Sequence, residues 1–422
     1  MKILVLNAGS SSQKSCLYQI GDTLPESPPI PVWEAKVDWT RHPGMAELKV
    51  KTSGSIFSGL TKDTVLEEEL QTSSRPDVIA HMIETLTSGY TEVIENLAEI
   101  DIVGHRVVHG GQDYQNPVRV TPEVKQTIYR LSALAPAHNP ANLEGIELLE
   151  KLLPNTPQVA VFDTAFHSHL PPAAYVYPLP YDLLEQGIRR YGFHGINHQY
   201  CAHKAAQLLG KDLADLRLIT CHLGNGCSLT AIREGQSVDT TMGFTPMEGL
   251  MMGTRSGSVD PGILIHLLRH GDSVEKLDEM LNRASGLKGV SGLSSDLRTI
   301  MTAIEQGNSR AQLAFDTYVH SLRRNMGAML ASLGGLDAVV FTGGVGENSA
   351  AVRAGACQAF AFLGLKLDCE KNAQSPKDAD IAAPDSAVRV LVVQAQEDWA
   401  IAQECWNLAK ANHLNLEKTT VD

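Results

Sequence analysis

The sequence predicts an α/β protein made of two related halves. Two observations point there. Short apolar runs end in glycine- and hydroxyl-rich turns at ILVLNAGSSSQK from Ile3, LITCHLGNG from Leu218 and AVVFTGGVGEN from Ala338, so the second half restarts the pattern that opens the first. At 422 residues the chain is also too long for one ordinary core and suggests two domains of roughly 150–250 residues each.

In chain order, Ile3 to Leu6 and Ser15 to Tyr18 read as a β-hairpin, followed by a proline-rich stretch and extended segments at Pro31 to Asp38 and Glu47 to Thr52. Apolar spacing from Asp77 to Leu97 (Val78, Ile79, Met82, Ile83, Leu86) suits a helix. A buried strand is expected at Ile102 to Val108. Helices follow at Pro122 to Leu134, with Thr121 as N-cap and Pro122 at the first position, and at Asn142 to Leu153. The strand-like QVAVF from Gln158 ends on Asp163, and the proline-punctuated PPAAYVYPLP marks a domain crossing. The second half offers a helix at His198 to Leu209, the strand at Leu218 and a return strand at Ser228 to Arg233. Helices at Gly262 to Arg269, Val274 to Arg283, Asp296 to Glu305 and Ser309 to Leu333 follow, with another opening near Ser349 after the third glycine turn. A strand at Val388 to Val393 leads through Glu397 into the last helix.

Composition narrows the function. A formal charge of −13 argues against nucleic acid or an acidic membrane as partner, so anions must be bound by local groups. No apolar run reaches the roughly 20 residues of a membrane span. The seven cysteines, with no C-x-x-C pair, fit reduced thiols and a cytoplasmic location better than a disulfide framework. Turns free of bulky side chains let backbone N–H groups approach phosphate oxygens, and three of them in one chain point to a nucleotide. Glycines placed only for hairpin geometry are the plainer alternative. The P-loop, the protein-kinase motifs and the dinucleotide fingerprint are all missing. His194 and His198 stand four apart and His167 and His169 two apart, but no HExxH or cysteine partner accompanies them, so zinc has little support.

Nine segments, NAGSSSQK (7–14), GHRVVHGG (104–111), APAHNP (135–140), FDTAFH (162–167), RRYGFHG (189–195), HLGNG (222–226), MGTRSGSVDPG (252–262), SSDLR (294–298) and GGVGEN (343–348), together resemble the acetate kinase family. That family belongs with the sugar kinases, Hsp70 and actin. The resemblance implies two duplicated actin-like (ribonuclease H-like) domains around a central nucleotide cleft, with residues 1–163 and 398–422 in one and 164–397 in the other. It further implies a homodimer and reversible, magnesium-dependent transfer of phosphate from ATP to acetate, with manganese an alternative ion and ADP and acetyl phosphate the products.

The resemblance also supplies site residues. Arg106, Asp163, His194 and Arg255 match its catalytic positions, and Asn7 and Glu397 its magnesium positions. Arg106, Val108, Ala137, His138, Phe193 and Pro246 match the acid-binding set. ATP contacts fall on Ser10, Ser12 and Lys14, on His222, Leu223, Gly224, Asn225 and Gly226, on Asp296, Leu297 and Arg298, and on Gly344, Val345, Gly346, Glu347 and Asn348. Free carboxyl groups titrate near ~4, so the acceptor is ionised at neutral pH and needs no strong base. Asp163 is therefore expected to orient Arg106 or a magnesium water. Ala137 stands where most members have leucine, which opens propionate as an alternative substrate. An actin- or Hsp70-like ATP switch is the rival from another class, and the co-occurrence of Arg106, Arg255 and the FHG histidine counts against it.

Overall fold

The computed structural model describes residues 1–9, 12–39, 44–53, 64–71 and 74–419, with side chains to residue 411. Two compact units divide the chain: residues 1–165 with the segment from Gln396 onward, and Phe166–Ala395. Both boundaries lie slightly outside the expected ones. Glu397 accordingly falls in the first unit rather than the second.

In the first unit, β1 (Lys2–Ala8), β2 (Ser12–Gln19), β3 (Trp33–Asp38), β4 (Met45–Thr52) and β5 (Thr64–Gln71) form an antiparallel run. On its other edge β1 pairs in parallel with β6 (Ile102–Val107), and β6 with β8 (Gln158–Phe162); β7 (Val118–Arg119) closes that side. The order among the described residues is β5-β4-β3-β2-β1-β6-β8-β7. One face is filled by Leu4, Leu17, Trp33, Leu48, Ile79 and Leu149. The other receives the helix Glu397–Thr419, seated closely because Gly104 has no side chain: a Cβ there would lie 2.6 Å from Cys405 Sγ and 2.7 Å from Ile401 Cγ2.

The second unit repeats this plan. β9 (Arg217–Leu223), β10 (Cys227–Arg233) and β11 (Gln236–Thr240) are antiparallel, and β9 pairs in parallel with β12 (Ala338–Thr342), which pairs in parallel with β14 (Arg389–Val392). With β13 (Ala379–Asp380) the order is β11-β10-β9-β12-β14-β13. Both units therefore share a third-second-first-fourth-fifth strand order with the same sense at every step. This is the duplicated actin-like α/β arrangement. In each unit the chain leaves the parallel strands at one sheet edge, the edge where open α/β sheets place their ligands.

Several elements differ from the sequence expectation for local reasons. The helix expected over 77–97 ends at Glu84, since Gly89 adopts φ +78° and short 3₁₀ turns replace the later part. The helix expected from Pro122 to Leu134 stops at Arg130, although Thr121 caps it by accepting from Val124 N. Helices begin earlier than expected at Asn139 and Gly195. GGVGEN is itself a helix, Gly343–Asn348, followed by Ala350–Gln358. No helix among the described residues is long and apolar enough to cross a membrane.

Candidate active site

The first unit gathers its polar residues at the carboxyl ends of its parallel strands. Register pairs Leu6 with His105 and Arg106 with Val161, so Asn7, Arg106 and Asp163 come to the same edge. Arg106 Nε donates to Asp163 Oδ2 at 3.0 Å and Nη2 to the same oxygen at 2.5 Å; Nη1 reaches Asn7 Oδ1 at 3.2 Å and lies 3.9 Å from Glu397 Oε2. Asn7 Nδ2 donates to Glu397 Oε2 at 3.2 Å and Asp398 Oδ1 at 2.8 Å. Burial by itself works against the charge on Arg106, but the carboxylates of Asp163 and Glu397 more than offset it and hold the guanidinium firmly protonated. Burial raises the Asp398 carboxyl above its ordinary value, against the pull of Lys14 and the Asn7 amide.

The segment after β6 is fixed by the HNP motif. Asn139 Oδ1 accepts from His109 N and Asn142 Oδ1 from Val108 N, while Gly110 N donates to Thr164 Oγ1. Gly110 must lack a side chain because a Cβ would lie 2.8 Å from the Phe162 ring. Val108 is thereby buried, His138 takes the N-cap position of the helix Asn139–Leu152, and Ala137 is exposed in the preceding turn.

The second unit gathers histidines and one arginine. His194 adopts φ 56° and ψ 23°, a left-handed conformation uncommon outside glycine. The elbow is held on both sides. His167 Nε2 donates to Phe193 O at 3.1 Å, and Arg190 Nη1 donates to the carbonyls of Thr240, Thr241 and Met242 at 3.0–3.1 Å. Gly192 at φ +77° leaves room for the His167 ring, which a Cβ would meet at 2.5 Å. His194 stacks on His222 with centroids 4.2 Å apart.

Arg255 lies beside them. A Cβ built at Gly226 would stand 3.4 Å from Arg255 Nη1 and 3.6 Å from His194 Cε1, so the missing side chain opens a small cradle between guanidinium and imidazole. Arg255 Nη1 donates to Pro246 O at 2.7 Å, and burial lowers its pKa. Among the described residues no carboxylate forms an ion pair with it. A buried cation without a counterion is costly unless an anion arrives to meet it.

The remaining predicted contacts are distributed as follows. Ser10 lies outside the described residues. Ser12 starts β2, and Lys14 is exposed opposite Asn7 in the β1–β2 register. His222 and Leu223 end β9, Gly224 N donates to Gly226 O at 3.0 Å, and Asn225 O accepts from Gly253 N. Asp296 caps the helix that Leu297 begins and is ion-paired with Arg298 at 2.6 Å. In the third turn the Gly343 N–H is met by the Glu347 carboxylate at 2.9 Å, which also accepts from Ala395 N. Gly344 has open space around it, Gly346 packs against β9 and β12, and Asn348 Nδ2 bonds back to Gly344 O. The half-buried Val345 lies between them. Phe193 is buried within its unit.

Sequence reasoning missed Asp398, Ser228 and the structural reach of His198. The adjacent Glu-Asp pair at 397–398 and the four-residue spacing of His194 and His198 were the available signals.

A model of the acetokinase family matches residues 2–403. Acetate kinase of Gloeobacter violaceus is 64% identical over 409 residues, covering 96% of this chain and 99% of that protein. The chain belongs to the acetokinase family. Acetate kinase of Trichormus variabilis is 63% identical, with 97% and 99% covered. Among solved structures, Porphyromonas gingivalis acetate kinase superposes with a TM-score of 0.85 at 41% identity, covering 97% of this chain and 99% of that one. A Francisella tularensis propionate kinase gives 0.85 at 36% identity, with 96% and 99% covered. The activity that follows is that of an acetate kinase, a phosphotransferase with a carboxyl group as acceptor.

Proposed function

We propose that the two half-sites divide one direct, in-line transfer between ATP and acetate, with Arg255 receiving the moving phosphoryl group and Arg106 the acceptor carboxylate. The observation that carries this is the buried Arg255 guanidinium, which has no ion pair among the described residues and opens onto the cradle at Gly226. Reaction of two anions needs positioning and charge neutralisation rather than a base. Asp163 then fixes the plane of Arg106 through its two hydrogen bonds to one carboxylate oxygen. His194 donates to phosphoryl oxygens from beside Arg255.

Asn7 and Glu397, with Asp398 alongside, form an oxygen-donor set without sulfur or imidazole, which fits a small hard cation such as Mg²⁺ or Mn²⁺. No three His, Cys, Asp or Glu side chains gather as a full ligand set among the described residues, and Mg²⁺ needs only one or two. When bound, the ion neutralises charge on the nucleotide phosphates. Lys14, Ser12, His222 to Gly226 and Gly344 to Asn348 bound the nucleotide phosphates, with Asp296 to Arg298 toward ribose and base. Val108, Ala137 and His138 of the first unit and Phe193 and Pro246 of the second are the side chains assigned to the acid.

A homodimer is supported by the helix Pro261–Arg269, which buries none of its residues and exposes Ile263, Ile265 and Leu268 at 48%, 50% and 44%. The seven unbridged cysteines, most of them buried, support work in the reducing cytosol. Propionate is the second substrate reading, favoured by the small exposed Ala137.

Acyl phosphate formed from ATP and magnesium with acetate, propionate or butyrate, trapped with hydroxylamine, tests the proposal. Acetate preference in kcat/KM is expected. Propionate preference moves the assignment to the second reading, and no product from any acid overturns it.

A further inference from the structure

A buried hydrogen-bond chain runs inward from the catalytic histidine. His194 Nδ1 lies 2.8 Å from Ser228 Oγ, Ser228 Oγ lies 2.7 Å from His198 Nε2, and His198 Nδ1 lies 2.7 Å from Thr220 Oγ1. Ser228, His198 and Thr220 are all fully buried. The direction of the protons follows from the innermost hydroxyl. Thr220 has one close acceptor, His198 Nδ1, since its other contact, Thr230 O, is 3.5 Å away and too long to satisfy a buried O–H. Thr220 therefore donates to His198 Nδ1, His198 Nε2–H donates to Ser228, and Ser228 donates to His194 Nδ1. Each hydroxyl carries a single proton, so reversing the last bond means reversing all of them.

We infer that Thr220, His198 and Ser228 are positioning residues that hold His194 as its neutral Nε2–H tautomer, so that the imidazole donates to phosphoryl oxygens without first taking up a proton. This rests on the role given to His194 above and deepens it. The surroundings agree with a neutral ring. His222 of β9 stacks on it, Arg255 shares its cradle, His198 lies beneath it on the same helix and His167 packs beyond His198. Cys227 of β10, next to Ser228, is a buried thiol whose pKa is raised by burial and which faces Arg255. With Arg255 supplying the fixed positive charge, a second cation so close would be disfavoured whenever phosphate is absent.

The test is ¹⁵N NMR of the full-length enzyme labelled at histidine, with the His194 signals identified by their loss in His194→Gln. At pH 8 the wild-type ring should show a protonated Nε2 and an unprotonated Nδ1. A protonated Nδ1, alone or in an imidazolium, overturns the inference, and this reading needs no variant beyond the one used for assignment. In Ser228→Ala the brake on protonating Nδ1 is gone, so the His194 titration midpoint should rise, and kcat should fall about tenfold or more with KM for acetate and ATP little changed. Ser228→Thr, which keeps the hydroxyl, should restore both. If Ser228→Ala moves neither the titration nor kcat while His194→Gln abolishes turnover, the chain is not a positioning device and His194 keeps its role. If His194→Gln turns over like wild type, the proposed role of His194 itself fails.

Discussion

The two half-sites carry one arginine each and treat it oppositely. Arg106 is enclosed by Asp163, Glu397 and the Asn7 carboxamide, with Asp398 behind, so its charge is spoken for before any substrate arrives. Arg255 sits among a carbonyl, a thioether and two stacked imidazoles, and among the described residues no carboxylate pairs with it. A compensated cation thus stands on a strand of one unit and an uncompensated one in a loop of the other. The proposed function uses that difference: the compensated arginine would orient a carboxylate, and the uncompensated one would receive an anion.

The sharpest break in this comparison comes from removing each cation. Arg255→Ala should lower kcat by ~10³–10⁵, the range for an arginine that stabilises a moving phosphoryl group, with little loss of stability. Arg106→Ala should also lose activity, but it removes the cation that faces the buried Asp163 and should cost about 3–5 kcal/mol of stability as well. Steady-state kinetics beside urea denaturation of both variants separates the two.

Acid pH should expose the neutral histidines of both units. Burial holds His167 in the second unit and His105 in the first down to about 4. Because the folded pKa lies below the ordinary 6.5, the stability each supplies is complete above pH 6.5 and is lost as pH falls toward 4. The loss is about 3 kcal/mol for His167, which should appear as a drop in unfolding free energy between pH 7 and 4 that His167→Gln flattens.

Gly226→Ala tests the cradle without touching either cation. Its backbone needs no left-handed conformation, so folding should be spared while the new methyl displaces phosphate from between Arg255 and His194. A loss of ~10² in kcat/KM for ATP with an unchanged melting temperature is expected. The smallest effect should come from Ala137→Leu in the first unit: a methylene is worth ~1–3 kcal/mol in discrimination, so the propionate-to-acetate ratio of kcat/KM should fall about tenfold.

The sequence made the strand-turn-strand repeats legible because apolar runs and glycine turns are local signals. Val274–Arg283 and Ser309–Leu333 are legible for the same reason. β5 was not, since TVLEEELQ is an edge strand with half its side chains in solvent and three consecutive glutamates. The left-handed His194 was hidden because nothing in FHG distinguishes it from an ordinary helix start. GGVGEN looked like a loop by composition, yet Glu347 satisfies the N–H of Gly343 and lets a helix begin at once. Arg106 and Asp163 were singled out by the resemblance, and the structure pairs them. Their contrast with Arg255 was not legible, because whether a buried cation has a counterion is settled by tertiary packing.

The most direct test of that contrast is the melting temperature of Arg255→Met beside Arg106→Met, each with and without ATP. Arg255→Met should melt at or above the wild-type temperature without ligand and lose most of the rise that ATP gives, while Arg106→Met should melt well below wild type. An Arg255→Met variant destabilised as much as Arg106→Met, with its ATP-dependent rise intact, would contradict the account.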